Sequence, residues 1–178
     1  MTPARVGGGL LVLGLAALPF TSGPATLTVG PTPVFISAAA VVAFGVGAAM
    51  ISIGRPIPLD GALVRSGMTL LALAAVAVAV SAVAGNGYDS DPLESWAIIG
   101  PLIVALIAGL VGLVSIAIGL VRLTGISRAL GAVMLLGLVL SIPFGIAFGT
   151  AGQVLAGGMI VVALLGVGIL ATGLLRRD

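Results

Sequence analysis

The carboxylates best able to do chemistry sit in one stretch, NGYDSDPLESW at 86–96, which brings Asp89, Asp91 and Glu94 close together. Hard oxygen donors this close suit Ca²⁺ or another hard cation, and neighbouring carboxylates can share acid–base work. The spacing lacks the glycine and the later bidentate glutamate of a helix–loop–helix calcium loop, and so short a turn offers little of the pocket that acid–base catalysis needs. The stretch is therefore expected to be a solvated outer turn, with Trp96 and Tyr88 as interfacial aromatics. A cation site at Asp89, Asp91 and Glu94 is the lesser alternative; no catalytic role, metal or cofactor is assigned.

Other chemistry is sparse. The chain has no Cys and no His, which excludes disulfides, thiolate metal sites and imidazole proton shuttles. The hydroxyls at depth in apolar runs are Ser37, Ser52, Thr69, Ser81, Ser115, Ser141 and Thr172. Such groups usually bond to their own helix backbone or to a neighbouring helix. GGGL at 7–10 has no strand before it and lacks the phosphate-loop pattern. Seven arginines against five acids leave a formal charge of only +2, too thin a footprint for nucleic acid.

The elements that must carry these residues follow from composition. Of 178 residues, 60% are hydrophobic and 7% charged, and the mean hydropathy is +1.38. A soluble domain is about one quarter charged, because its surface must face water, so lipid is the expected solvent and the bilayer the first partner. A membrane helix needs about 20 apolar residues. The long charge-free intervals are 6–54, 66–88, 95–121 and 129–175. The two inner intervals suit one span each. The outer two suit two spans each, divided by the proline-rich PFTSGPATLTVGPTP (19–33) and by FGTAGQ (148–153). Six helices are expected, near 5–22, 33–54, 65–85, 96–121, 128–149 and 154–175. The first run, GGGLLVLGLAAL, imitates a secretory leader but is taken as a membrane helix.

Six crossings sort the charges. Arg5, Arg55, Arg65, Arg122, Arg128, Arg176 and Arg177 fall on one side, and Asp89, Asp91 and Glu94 on the other. By the positive-inside bias the arginine side is cytoplasmic, with both termini inside, in a multi-pass protein of the cell membrane. VRLTGISR (121–128) becomes a tight turn held there by its two arginines.

The helices also echo one another. RVGGGLLVLGLAALPF (5–20) matches RALGAVMLLGLVLSIPF (128–144), and GAAMISIGR (47–55), GLVSIAIGLVR (112–122) and GVGILATGLLR (166–176) share two glycines seven apart. The expected fold is all-α, a single transmembrane domain over 1–178 made of three tandem parallel hairpins, about 1–60, 61–124 and 125–178. Residues seven apart share one helix face, and small residues mark close contact between membrane helices. Gly47, Gly54, Gly112, Gly119, Gly166 and Gly173 are thus expected on packing seams, with Gly145 and Gly149 as a further small-xxx-small step.

With helices of the G-x-L-L-x-L-G-L type that end near a proline, as in GLLVLGLAALPF and GAVMLLGLVLSIPF, the chain resembles the six-helix acid-resistance membrane proteins built from a short repeated hairpin. The likeness covers hairpins one and three; VAVAVSAVAG (76–85) departs from it, lacking the Pro-Phe ending. It carries over no catalytic residue. The expected function is non-enzymatic: an accessory subunit of a larger membrane complex, or a self-associating structural protein. The alternative is a channel or facilitator for a small neutral solute, with Pro143 opening a cavity in helix five.

Overall fold

The computed structural model describes residues 2–17, 33–56, 59–85 and 92–173, and side chains throughout these except 33–38, 82–85 and 92–98. Among the described residues the fold is entirely helical: α1 Pro3–Ala17, α2 Pro33–Gly54, α3 Ala62–Gly85, α4 Pro92–Val121 and α5 Ile126–Thr172. Ala62–Ser81, Ile99–Val121 and Ile126–Thr172 are long and apolar enough to cross a membrane; Pro3–Ala17 and Ala39–Gly54 are shorter apolar helices.

The described part of α1 runs to Ala17, and residues 18–22 of the expected first helix lie outside the described residues. One expected boundary differs from that observed. The expected fifth and sixth helices form one helical run with no loop between them. The run nevertheless reverses direction inside. Gly149 has φ 58° and ψ −134°, almost the backbone of Gly125, the N-cap of α5, at φ 65° and ψ −137°. That conformation is open to glycine and costly for any residue with a Cβ. One glycine thus stops the first half of α5, 126–148, and starts the second, 150–172. The halves pack antiparallel: Gly166 faces Leu130, Gly137 faces Ala156 and Ile160, and Gly145 faces Gln153.

Each helix packs on its neighbours in the chain, and α1 also packs on α5, so the elements close into a ring. α4 meets the first half of α5, where Gly131 lies against Ala117, Leu120 and Val121. α1 meets the second half, where Gly8 lies against Gly168 and Thr172. Inside the ring every helical segment contributes a fully buried side chain: Leu11, Ile51, Met68, Ile116, Met134 and Val167. These belong to one cluster, which Leu59 of the α2–α3 connection closes at its end.

The other end of the ring is looser. Along the α4 stripe facing α5, spaced three and four residues apart, Leu120 and Ala117 are 0% exposed but Leu110 is 51% and Leu106 63%. On α5, Met134 is 0% exposed and Ile146 82%.

Candidate functional site

Two features stand out from this frame: an end ringed by arginines and a set of glycine crossings. The antiparallel packing gathers Arg5, Arg55, Arg65, Arg122 and Arg128 at one end, because Gly54 meets Ala4, Gly119 meets Val64 and Gly131 meets Val121. Arg176 and Arg177 lie outside the described residues.

Two of the arginines stand at helix C-termini. Arg128, in the first turn of α5, donates from Nε to the Val121 carbonyl at the last residue of α4, at 3.1 Å. Arg5, in the first turn of α1, lies over the C-terminus of α5, with its Nε 3.4 Å from where a side chain on Gly173 would begin. Helix C-termini carry unpaired carbonyls and partial negative charge, so a cation is favoured there. Arg55 stands just past α2 in a left-handed conformation, φ 44°. Arg65 is the exception. It lies in the first turn of α3, and its Nε is buried with no hydrogen-bond partner. Its carbonyl accepts from Thr69 Oγ1 at 3.0 Å and from Ser52 Oγ at 3.3 Å, and the two hydroxyls lie 2.9 Å apart across the α2–α3 seam.

The glycines have distinct roles. Gly47 crosses Gly7 of α1, so that an added Cβ would meet the Leu11 nitrogen at 2.5 Å and the Gly7 carbonyl oxygen at 2.7 Å. Gly112 crosses Gly67 of α3 in the same way, with the Gly67 carbonyl oxygen at 2.9 Å. Gly54 abuts Ala4, and Gly119 abuts Val64. At Gly166 the facing group is the Leu130 side chain instead of a second glycine. Gly173 has a different place from the seam expected for it: at φ 75° it is the left-handed C-cap of α5, its N–H bonded to the Leu170 carbonyl at 3.1 Å. Gly149 likewise is the reversal point rather than a packing step, with nothing within 4 Å of a built Cβ.

The expected seams leave out Gly7, Gly8, Gly14, Gly67, Gly131 and Gly168, each of which permits a close backbone approach, although Gly7 and Gly14 are themselves seven apart. Heptad spacing relates residues within one helix only. For Gly67, Gly131 and Gly168 no glycine lies seven residues away to mark them.

The hydroxyls are scattered. Ser66, Ser141 and Thr172 donate to the backbone carbonyls of Leu63, Leu138 and Ile169, three residues back. Ser52 and Thr69 form the α2–α3 link. Ser141 also borders a cavity of about 620 Å³ between the halves of α5, lined by Ile142, Gly145, Ile146, Gln153, Gly157 and Ile160. Pro143, inside the helix here, has no N–H to give the preceding turn. Beside it Phe144 and Phe148 pack edge to face, centroids 5.8 Å apart. Asp89 and Asp91 fall outside the described residues, as does the side chain of Glu94, and with them the suggested cation site. No family model, curated protein or solved structure matches the chain.

Proposed function

We propose that this is a non-enzymatic integral membrane protein that crosses the bilayer six times as three hairpins, arginine end and both termini on the cytoplasmic side, and acts as an accessory subunit or by self-association. The observation that carries this reading is the filled axis. Six large side chains, one per helical segment, close the interior, while rows of aliphatic residues such as Ile103, Ile107, Val111 and Ile118 of α4 face outward. A bundle of this kind is suited to presenting faces to lipid and to other helices. The reversal at Gly149 and the matched crossings Gly7–Gly47 and Gly67–Gly112 support the three-hairpin plan, and with it the proposed kinship to the six-helix acid-resistance proteins.

Native mass spectrometry of protein extracted gently from its own membrane tests the reading. A complex with unlike chains identifies an accessory subunit, and a homo-oligomer identifies self-association; a lone monomer in every gentle detergent overturns both. The facilitator reading has one observation in its favour, the cavity beside Ser141 and Gln153. Ile160, which lines it, packs against the buried cluster, and flux of a small neutral solute into proteoliposomes would decide for this reading.

A further inference from the structure

We propose that the cavity between the two halves of α5 binds a neutral lipid alcohol, with Gln153 as the group that recognises the hydroxyl. The cavity holds about 620 Å³, within the range of sites that enclose small apolar ligands. It is open on one side, where Ile142 and Ile146 are 72% and 82% exposed. Inward it extends to Ile160, which packs against the buried cluster. A molecule dissolved in the bilayer has a lateral way in.

Gln153 is the only glutamine in the chain. Its amide lies against Gly145, where a built Cβ would come 3.2 Å from Nε2, so the missing side chain at 145 gives the amide its place. Among the described residues no hydrogen bond reaches that amide. The hydroxyls of Ser52, Thr69, Ser141 and Thr172, by contrast, all have partners. An unpaired amide in apolar surroundings is costly, and in lipid a glutamine gains by pairing with a group outside its own helix.

The pattern of donors and acceptors selects the ligand. A carboxamide offers two N–H donors and one carbonyl acceptor. Ser141, on the facing half, donates its proton to the Leu138 carbonyl at 2.7 Å, which leaves its oxygen able only to accept. A hydroxyl suits this set, because it accepts from Gln153 Nε2 and donates to Gln153 Oε1 or Ser141 Oγ. A quinone or ketone only accepts, and a hydrocarbon chain does neither. No ionisable residue lines the cavity. Arg128, the arginine in the first turn of α5, stands thirteen residues before Ser141, about 20 Å along the helix, so no cation of α5 is near to hold a carboxylate or phosphate. Ile142, Ile146 and Ile160 supply the apolar wall for the tail, and Gly157, with nothing within 4 Å of a built Cβ, leaves room beside it.

This site is independent of whether the protein has partner chains. It rests only on α5 lying in lipid, as its length and apolar character require.

The probe is hexadecan-1-ol with a diazirine in its chain, photolysed with the full-length protein in phosphatidylcholine vesicles, and the adduct is located by peptide mass spectrometry. The expected adduct saturates and falls within residues 141–160. Unlabelled hexadecan-1-ol should displace it. Hexadecyl methyl ether, which cannot donate, should displace it about fivefold less well, the effect of one neutral hydrogen bond, and hexadecyl phosphate should not compete. Gln153→Leu keeps the bulk of the side chain and removes its donors and acceptor. It should still take up the probe but lose most of the preference for alcohol over ether. Should that variant fail to fold, the wild-type competition series carries the test. Labelling spread over all the outward helix faces, or equal displacement by the ether or the phosphate, would overturn the proposal in favour of bulk lipid in the groove. So would the absence of an adduct at 141–160, and a homodimer that Gln153→Leu dissociates would then assign the groove to a second copy of this chain.

Discussion

Replacing Gly47 with alanine is the sharpest test of how this bundle is held together. In the structure the new Cβ would lie 2.5 Å from the Leu11 nitrogen, 2.7 Å from the Gly7 carbonyl oxygen and 2.9 Å from the Leu11 Cα. All three are backbone atoms, so no rotamer change relieves the contact. Carbon contacts are comfortable near about 3.5 Å, so α1 would have to retreat by roughly 1 Å. Because α1 is a rigid rod, that retreat loosens Leu11 and Leu15 from Ala48 and Ile51 in the buried cluster as well. Overpacking of this kind costs about 1–3 kcal/mol. Alanine regains up to about 1 kcal/mol through its higher helix propensity. The matched control is Gly9→Ala, two residues from Gly7 on the same helix, where nothing lies within 4 Å of the added Cβ. The propensity gain is common to both variants, so their difference isolates the crossing, at about 1–3 kcal/mol. Unfolding in dodecyl maltoside micelles titrated with sodium dodecyl sulfate, followed by circular dichroism, measures it. Equal midpoints for Gly47→Ala and Gly9→Ala would refute the reasoning, because the close crossing would then contribute nothing that distance alone can explain.

Other outcomes follow from the same geometry. Gly149→Ala, though sterically open, forces a side chain into φ 58° and is expected to cost about 1–3 kcal/mol in the same titration. Gly157→Ala, equally open but in regular helix, should be neutral or slightly stabilising. Leu59→Ala removes a side chain that is 1% exposed at the closed end of the core and should cost about 2–5 kcal/mol; a loss below about 0.5 kcal/mol, the scatter expected of surface changes, would show that the α2–α3 connection does not seal the bundle. The proposed six crossings would place Thr150 and Asp60 on opposite sides. A cysteine at Thr150 should therefore react with impermeant maleimide from the side on which a cysteine at Asp60 is protected, and reaction of both from one side would rule that topology out.

Several of these features are legible in the sequence. The α2 limits expected at 33–54 coincide with the observed Pro33–Gly54, because a proline marks one end and an arginine follows the other. Heptad spacing picks out Gly47 and Gly112, since residues seven apart share a face. It equally separates Gly7 from Gly14, but it does not pick out Gly67, the partner of Gly112, since a crossing is a relation between two helices and each helix records only its own half. The turn expected at 148–153 does not narrow to Gly149 on sequence grounds. Its neighbours there, including Gly152 and Gln153, are compatible with a loop, and only the backbone dihedrals show that one residue suffices. The spacing of Gly173 from Gly166 points to the seam, whereas its position at the helix end gives it the separate work of a left-handed cap.

By itself, then, the chain's composition determines that its helices belong in an apolar solvent: a chain with 7% charged residues cannot clothe a water-facing surface, and where backbone polar groups meet lipid the helix satisfies them internally. The spacing of its arginines likewise determines where the apolar runs must end. Only the tertiary structure decides which helices touch, that the ring closes between α1 and α5, and that its axis is filled. Those outcomes depend on how side chains far apart in the chain interlock at close range, so that Leu11, Met68 and Val167 join one cluster without any local signal. The same holds for Arg65. Among arginines indistinguishable by type, its surroundings alone leave its Nε buried and unpaired.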